Sequence, residues 1–299
     1  MRRSLYIIHC IFPILMMMVA CSGIPEDERL IAIKSDQATD TISTDSVNTD
    51  TISIDSVGLD SIYMRAVLIE DFTGQGCLNC PNAAEVITNL QSKYGHDKIV
   101  AVGIHASELA EYSKGSRIGL RTQEGDDYYN FWKVEVEPSG LINRTGGVCT
   151  IDKWPNLVSN MIDKPASVAL TLSNIFDEQD RQANIQLIVS VNEKVEGKVQ
   201  LWLTESDIVA RQRMPDNKWN ANYVHNHVFR HTVNGLWGDD FKADKGTEQT
   251  LNFTASIEEG WQPQNMTVVA FIYDQTGVLQ VTEAPLIPQE EDESENKEI

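Results

Sequence analysis

Apolar and polar positions follow different rules in successive stretches of this chain. Leu5 to Ala20 is a short apolar stretch behind Arg2 and Arg3. Asp40, Asp45, Asp50, Asp55 and Asp60 then recur every five residues. That period matches neither helix nor strand, so this part builds no amphipathic face. Residues 64–72, MRAVLIEDF, are rich in branched apolar side chains and end at Thr73-Gly74-Gln75-Gly76, which predicts a buried strand and a turn. Ala84, Val86, Ile87 and Leu90 have helical spacing and predict a helix over 83–94. Pro81 is tolerated only in a first turn, which fixes the helix start near Cys77 and Cys80. KIVAVGI, residues 98–104, predicts a second short strand. Beyond Pro165 the period becomes two, in Val168/Leu170/Leu172, Ile185/Leu187/Val189/Val191, Val199/Leu201/Leu203 and Leu251/Phe253/Ala255/Ile257. With 227–233, 266–273 and 278–281 this predicts about seven strands.

Composition and charge narrow the classes of function. The chain has 299 residues, 24 Lys and Arg against 44 Asp and Glu, and a formal net charge of −20. That length allows about two domains. Nucleic acid is not expected as a partner, because phosphate neutralisation needs a basic face. Residues 1–20 have the flanks and length of an export signal, and no later apolar run approaches the roughly 20 residues of a membrane span. Cys21 follows Met18-Val19-Ala20, which resembles the lipobox of bacterial lipoproteins with Met18 in place of the usual Leu. The alternative is an ordinary cleaved signal with a coincidental cysteine. Lipid on Cys21 would make the membrane a partner, since several acyl chains hold far better than one. Glu26-Asp27-Glu28 resembles the surface-export signal of Bacteroidetes lipoproteins.

Residues 21–63 read as a disordered acidic tether. From residue 22 they carry nine acidic against two basic residues and no aromatic before Tyr63. A flexible tether of about 40 residues spans roughly 35 Å. Each Asp of the repeat is followed by Ser or Thr and then Ile or Val, so Thr41, Ser46, Thr51, Ser56 and Ser61 resemble the O-glycosylation acceptors of Bacteroides-type bacteria. An unmodified low-complexity repeat is the alternative. Residues 289–299 form an acidic tail.

The candidate chemistry is concentrated at Cys77-Leu78-Asn79-Cys80. A helix N-terminus supplies unpaired N–H groups and positive potential, which lower a cysteine pKa. Two intervening residues let Cys80 resolve a mixed disulfide formed at Cys77. A CxxC can equally be half a zinc site, but no second CxxC or CxxH follows. No metal and no cofactor are expected. His225, His227 and His231, two and four apart, would point to one side of a strand. Three imidazoles on one face could bind zinc or copper, but with no acidic residue in register they read as hydrogen-bonded histidines of a polar loop, with a metal site as the alternative. Tyr128, Tyr129, Phe131 and Trp132 read as core, and Cys149 as a buried free thiol.

The strand, CxxC helix and strand together resemble the thioredoxin superfamily. The resemblance implies that Asp71, six residues before Cys77, is the proton acceptor for the resolving thiol. It implies that Pro138 is the cis-proline facing the pair, and that Trp154 to Ile162 is the closing helix. This chain departs from the pattern at Gly76, at the lack of a basic residue after Cys80, and at Glu137, whose carboxylate would oppose ionisation of Cys77. The expected fold is therefore α/β plus all-β: a thioredoxin-like domain over 64–164 followed by an immunoglobulin-like β-sandwich over 165–288. With VLIEDFTGQGCLNCPNAAEVI and YVHNHVFRHTVNG, the arrangement is similar to the Bacteroidetes outer-membrane lipoprotein family named for a twenty-eight-kilodalton protein. It implies an outer-membrane location, lipid-anchored, facing cell surface or periplasm. The expected function is thiol–disulfide exchange through Cys77 and Cys80 with substrate thiols. A non-catalytic binding or structural lipoprotein with a stabilising bridge is the alternative.

Overall fold

A computed structural model describes residues 63–288. The signal segment, Cys21, the tether to residue 62 with Thr41, Ser46, Thr51, Ser56 and Ser61, and the tail from 289 lie outside the described residues. The first elements are β1 (Val67–Thr73), α1 (Cys80–Tyr94), β2 (Ile99–His105), α2 (Gln123–Phe131), β3 (Ser139–Ile142), β4 (Cys149–Thr150) and α3 (Trp154–Met161). Strands follow: β5 (Val168–Asp177), β6 (Gln182–Val191), β7 (Val195–Glu205), β8 (Ile208–Arg213), β9 (Trp219–His225) and β10 (Val228–Thr232). The last are β11 (Asp239–Ala243), β12 (Glu248–Ser256), β13 (Met266–Asp274) and β14 (Gly277–Pro285). The molecule is mixed α/β, mostly sheet.

Every residue of β1 is buried because both its faces are covered. Val67 and Ile69 pack with Ala83, Ile87 and Leu90 of α1 and Trp154 and Val158 of α3. Leu68 and Phe72, on the opposite face, pack with Tyr128 of α2 and with Trp202 and Phe271 from the C-terminal strands. Strands buried on both sides read as continuous apolar runs, as VLIEDFT and IVAVGIH do. α1 is the crossover that makes β1 and β2 parallel, and β3 returns antiparallel to β1.

One long sheet runs in the order β14-β13-β7-β10-β2-β1-β3-β4, with β11 also pairing β7. Its two halves join where Val228 of β10 pairs Gly103 of β2 and Gly103 N–H donates to His227 O at 2.7 Å. A buried ion pair spans the junction. Arg144 Nε donates to Glu70 Oε1 at 2.7 Å, and the guanidinium lies 4.9 Å from the Phe271 ring and 4.7 Å from that of Tyr273. A second sheet, β12-β6-β5, encloses an aliphatic core with β7, β13 and β14, built around Leu187, Leu201, Leu203 and Val268.

The structure differs from the sequence expectations in particular places. Past residue 165 the described chain forms ten strands rather than about seven. β8, β9 and β11 were not anticipated, because WNANYVH of β9 is mostly exposed and DDFKA of β11 is short and polar, so neither carries a period-two apolar face. α2 also emerges from a polar stretch. Thr122 Oγ1 caps it by accepting Gly125 N–H at 3.0 Å, and Tyr128 alone of its aromatics is fully buried while Phe131 is exposed. The three histidines do not share one side of a strand. The chain bends at His227, whose φ is 55°, so His225 ends β9 while His231 lies in β10 beside Glu124 at 3.0 Å.

Candidate functional site

Cys77 and Cys80 form a closed disulfide at the start of α1. No side chain caps this helix and no acidic residue stands in its first turn, so its first N–H groups direct positive potential at the cysteines, which the nearby Glu137 carboxylate opposes when ionised. Both are buried, Cys77 at 3% and Cys80 at 4% exposure, while Leu78 and Asn79 between them face solvent.

The loop carrying the pair is held from distant parts of the chain. Gly76 N–H donates to Leu109 O at 2.7 Å. From β8, Gln212 Nε2 donates to Cys77 O at 2.9 Å and Arg213 N–H to Gln75 O at 2.8 Å. Gln75 Nε2 donates to Ile118 O at 3.1 Å and its Oε1 accepts Leu120 N–H at 3.1 Å. Strands late in the chain thus complete the surroundings of the cysteines.

Behind the pair lies a cleft of about 320 Å³, lined among others by Asp71, Cys80, His105, Gln212, His225 and His227. Asp71 pairs Gly103 and Gly140 in the sheet and is 5% exposed. Its Oδ1 has no partner. Burial, and then the nearby Glu137 carboxylate, push its pKa up to about 8. The His105 and His225 rings meet edge to face at 5.3 Å, each with Nε2 buried and unpartnered. Burial holds His105 well below the usual imidazole range, with a push from His225, and lowers His225 to about 4. Both imidazoles are neutral near pH 7. Burial thus favours the uncharged forms of Asp71, His105 and His225 in this cleft near neutral pH.

Near the pair, the Glu137–Pro138 peptide is cis. The Glu137 carboxyl comes within 4.8 Å of both sulfurs. Burial raises its pKa to about 7. Asp71 and Glu137 thus both stand near the disulfide, close enough for Glu137 to help raise the Asp71 pKa. Cys149 is a free thiol, half-buried, away from this site. Spacing in the sequence located Cys77 and Cys80, and the thioredoxin resemblance pointed to Asp71 and Pro138. Gln212 carried no such signal, because it arrives through tertiary packing, and the spacing of His225 with His227 and His231 did not place it beside the pair. His105 was accessible in principle, since pairing β1 with β2 places it opposite Thr73.

Among solved structures, the fold resembles HBP35 of Porphyromonas gingivalis, at 14% identity and a TM-score of 0.57, over 77% of this chain and 79% of that one. A domain of the outer membrane lipoprotein Omp28 from the same organism aligns at 22% identity and a TM-score of 0.29, covering 42% of this chain and 92% of that domain. No curated protein sequence matches the chain. The sequence model of outer membrane protein Omp28 matches residues 125–290. That match covers more than half of the 299 residues, and the chain belongs to the Omp28 family of outer membrane proteins.

Proposed function

We propose that this outer-membrane protein exchanges disulfides through Cys77 and Cys80. The observation that carries the reading is the buried, unpartnered Asp71 carboxyl lining the same cleft as Cys80. Cys77, at the positive end of α1, attacks a substrate disulfide as a thiolate and forms a mixed disulfide while the substrate's other sulfur leaves as a thiolate. The ionised fraction of Asp71, a minority at neutral pH with a pKa of about 8, takes the proton of Cys80, whose sulfur then attacks Cys77, closes the internal bridge and releases the reduced substrate. Pro138, after its cis peptide, shapes the surface on which substrate docks.

The proposed fold reading is finer than mixed α/β. The order β2-β1-β3-β4 with α1 and α3 on one face supports a thioredoxin-like domain over 64–164. The core shared by β5, β6 and β12 with β7 and β13 supports an immunoglobulin-like sandwich over 165–288. Lipid on Cys21 is the proposed anchor, with 1–20 removed as a signal. No helix among the described residues is long and apolar enough to cross a membrane. Residues 21–63 are proposed as a tether glycosylated at Thr41, Ser46, Thr51, Ser56 and Ser61.

One observation favours a second reading: Cys77 is almost fully buried, as a merely stabilising bridge would be. The reduction potential separates the two. An exchange centre lies above about −300 mV and a structural bridge below it.

A further inference from the structure

Opening the Cys77–Cys80 bridge leaves two thiol sulfurs beside a carboxyl group. Both Sγ atoms and a Glu137 carboxylate oxygen lie within 4.8 Å of one another. Glu137 keeps that place for local reasons. Its Oε1 accepts Ser107 Oγ–H at 2.6 Å, and Ser107 is itself fixed by its N–H donating to Asp126 Oδ1 at 3.0 Å. Oε2 is buried and has no partner. Gly74 leaves it room, since a Cβ there would lie 2.9 Å from Oε2. One carboxylate oxygen is thus oriented by a hydrogen bond and the other is left with unused lone pairs. That is how ligating carboxylates are prepared.

We propose that the reduced pair and Glu137 form a redox-gated site for a divalent cation of the zinc, cobalt or cadmium kind. Metal–sulfur bonds of about 2.3 Å set a sulfur–sulfur edge of roughly 3.8 Å in a tetrahedral site, a separation that two sulfurs reach only once their bond is broken. Disulfide sulfurs carry no charge and do not compete. A phosphine or dithiol reductant supplies two electrons, and the sulfurs take up two protons as the S–S bond breaks. The cation then displaces both protons to water and forms two metal–sulfur bonds and one metal–oxygen bond. Three protein ligands leave the fourth position to water. Thiolates and carboxylate together select borderline-soft over hard cations. The inference needs only a bridge that a small reductant can open, and so stands apart from exchange with a protein substrate. It also implies that a bound cation blocks exchange, because both sulfurs are engaged.

Cobalt titration tests it. The full chain carrying Cys149→Ser is reduced with a phosphine and titrated with Co²⁺. One Co²⁺ per chain should bind with sulfur-to-cobalt charge-transfer absorption. The oxidised chain and a Cys77→Ser/Cys80→Ser chain should show none. Glu137→Gln should keep the thiolate absorption while binding about tenfold or more weakly, and Ser107→Ala should weaken binding by a smaller factor. The inference is overturned by a reduced chain without charge-transfer absorption, by equal binding in the oxidised chain, or by Glu137→Gln binding as tightly as the parent. A bridge that phosphine leaves closed also overturns it. A chain that traps partners through Cys77 yet binds no Co²⁺ defeats this site and leaves exchange standing. Binding without trapping does the reverse.

Discussion

The two halves of the long sheet bury different kinds of matter. Around β1 and β2 the interior contains Glu70, Asp71 and His105, and Asp71 and His105, joined by His225 from β9, line the same cleft as Cys80. Between the β12-β6-β5 sheet and β7, β13 and β14 it is aliphatic, with Leu187, Val189, Leu201 and Val268 fully buried. An aliphatic core stabilises in proportion to its buried area and offers no chemistry. Buried titratable groups cost stability unless paired, and of those around β1 only Glu70 has a full ionic partner. Asp71, His105 and His225 each have an unpartnered buried atom. Such groups cluster where a fold gives up stability for function.

The junction between the two halves should be the costliest place to break. Glu70→Gln strands the Arg144 guanidinium among Trp202, Phe271 and Tyr273, and urea unfolding should show a loss of about 3–5 kcal/mol. A loss under about 1 kcal/mol would mean that the halves are joined by the aromatics alone.

Asp71→Asn should act in the opposite direction. The folded pKa of Asp71 is raised to about 8, above an unfolded value near 3.9. Its contribution is therefore fully present below about pH 4 and is lost as pH rises towards 8. The variant should match the parent at about pH 3.5 and exceed it by about 2–4 kcal/mol at about pH 8, while its Cys80 resolving step slows. Equal stability at both pH values would remove Asp71 from the strained interior. In the aliphatic core, Ile185→Val should cost only about 0.5–1.5 kcal/mol and leave exchange per folded molecule unchanged.

The same contrast explains what could be read from the sequence. β1, β2 and α1 were legible because a strand covered on both faces and a helix covered on one leave unambiguous apolar runs in VLIEDFT, IVAVGIH and around Ile87 and Leu90. The alternating positions of β6 announced the aliphatic core for the same reason. β9 did not, because its residues are held by pairing with β8 and not by burial. The cysteines and Asp71 sit within one strand–turn–helix unit, the cysteines visible from their spacing and Asp71 from the thioredoxin resemblance. Gln212 and His225 reach them from more than 130 residues away, through a hairpin that local pattern does not announce. Glu137 was visible as a departure beside Pro138, but its unpartnered oxygen and its Ser107 anchor were not.

Trapping on membranes of the native type of host decides whether Cys77 is a nucleophile. In a Cys149→Ser background, Cys80→Ser should accumulate mixed disulfides with other proteins through Cys77, because the resolving sulfur is gone. Cys77→Ser should accumulate none. Absence of any Cys77-linked species, with the wild-type bridge still closed at about −250 mV, would contradict exchange and leave the disulfide a structural staple.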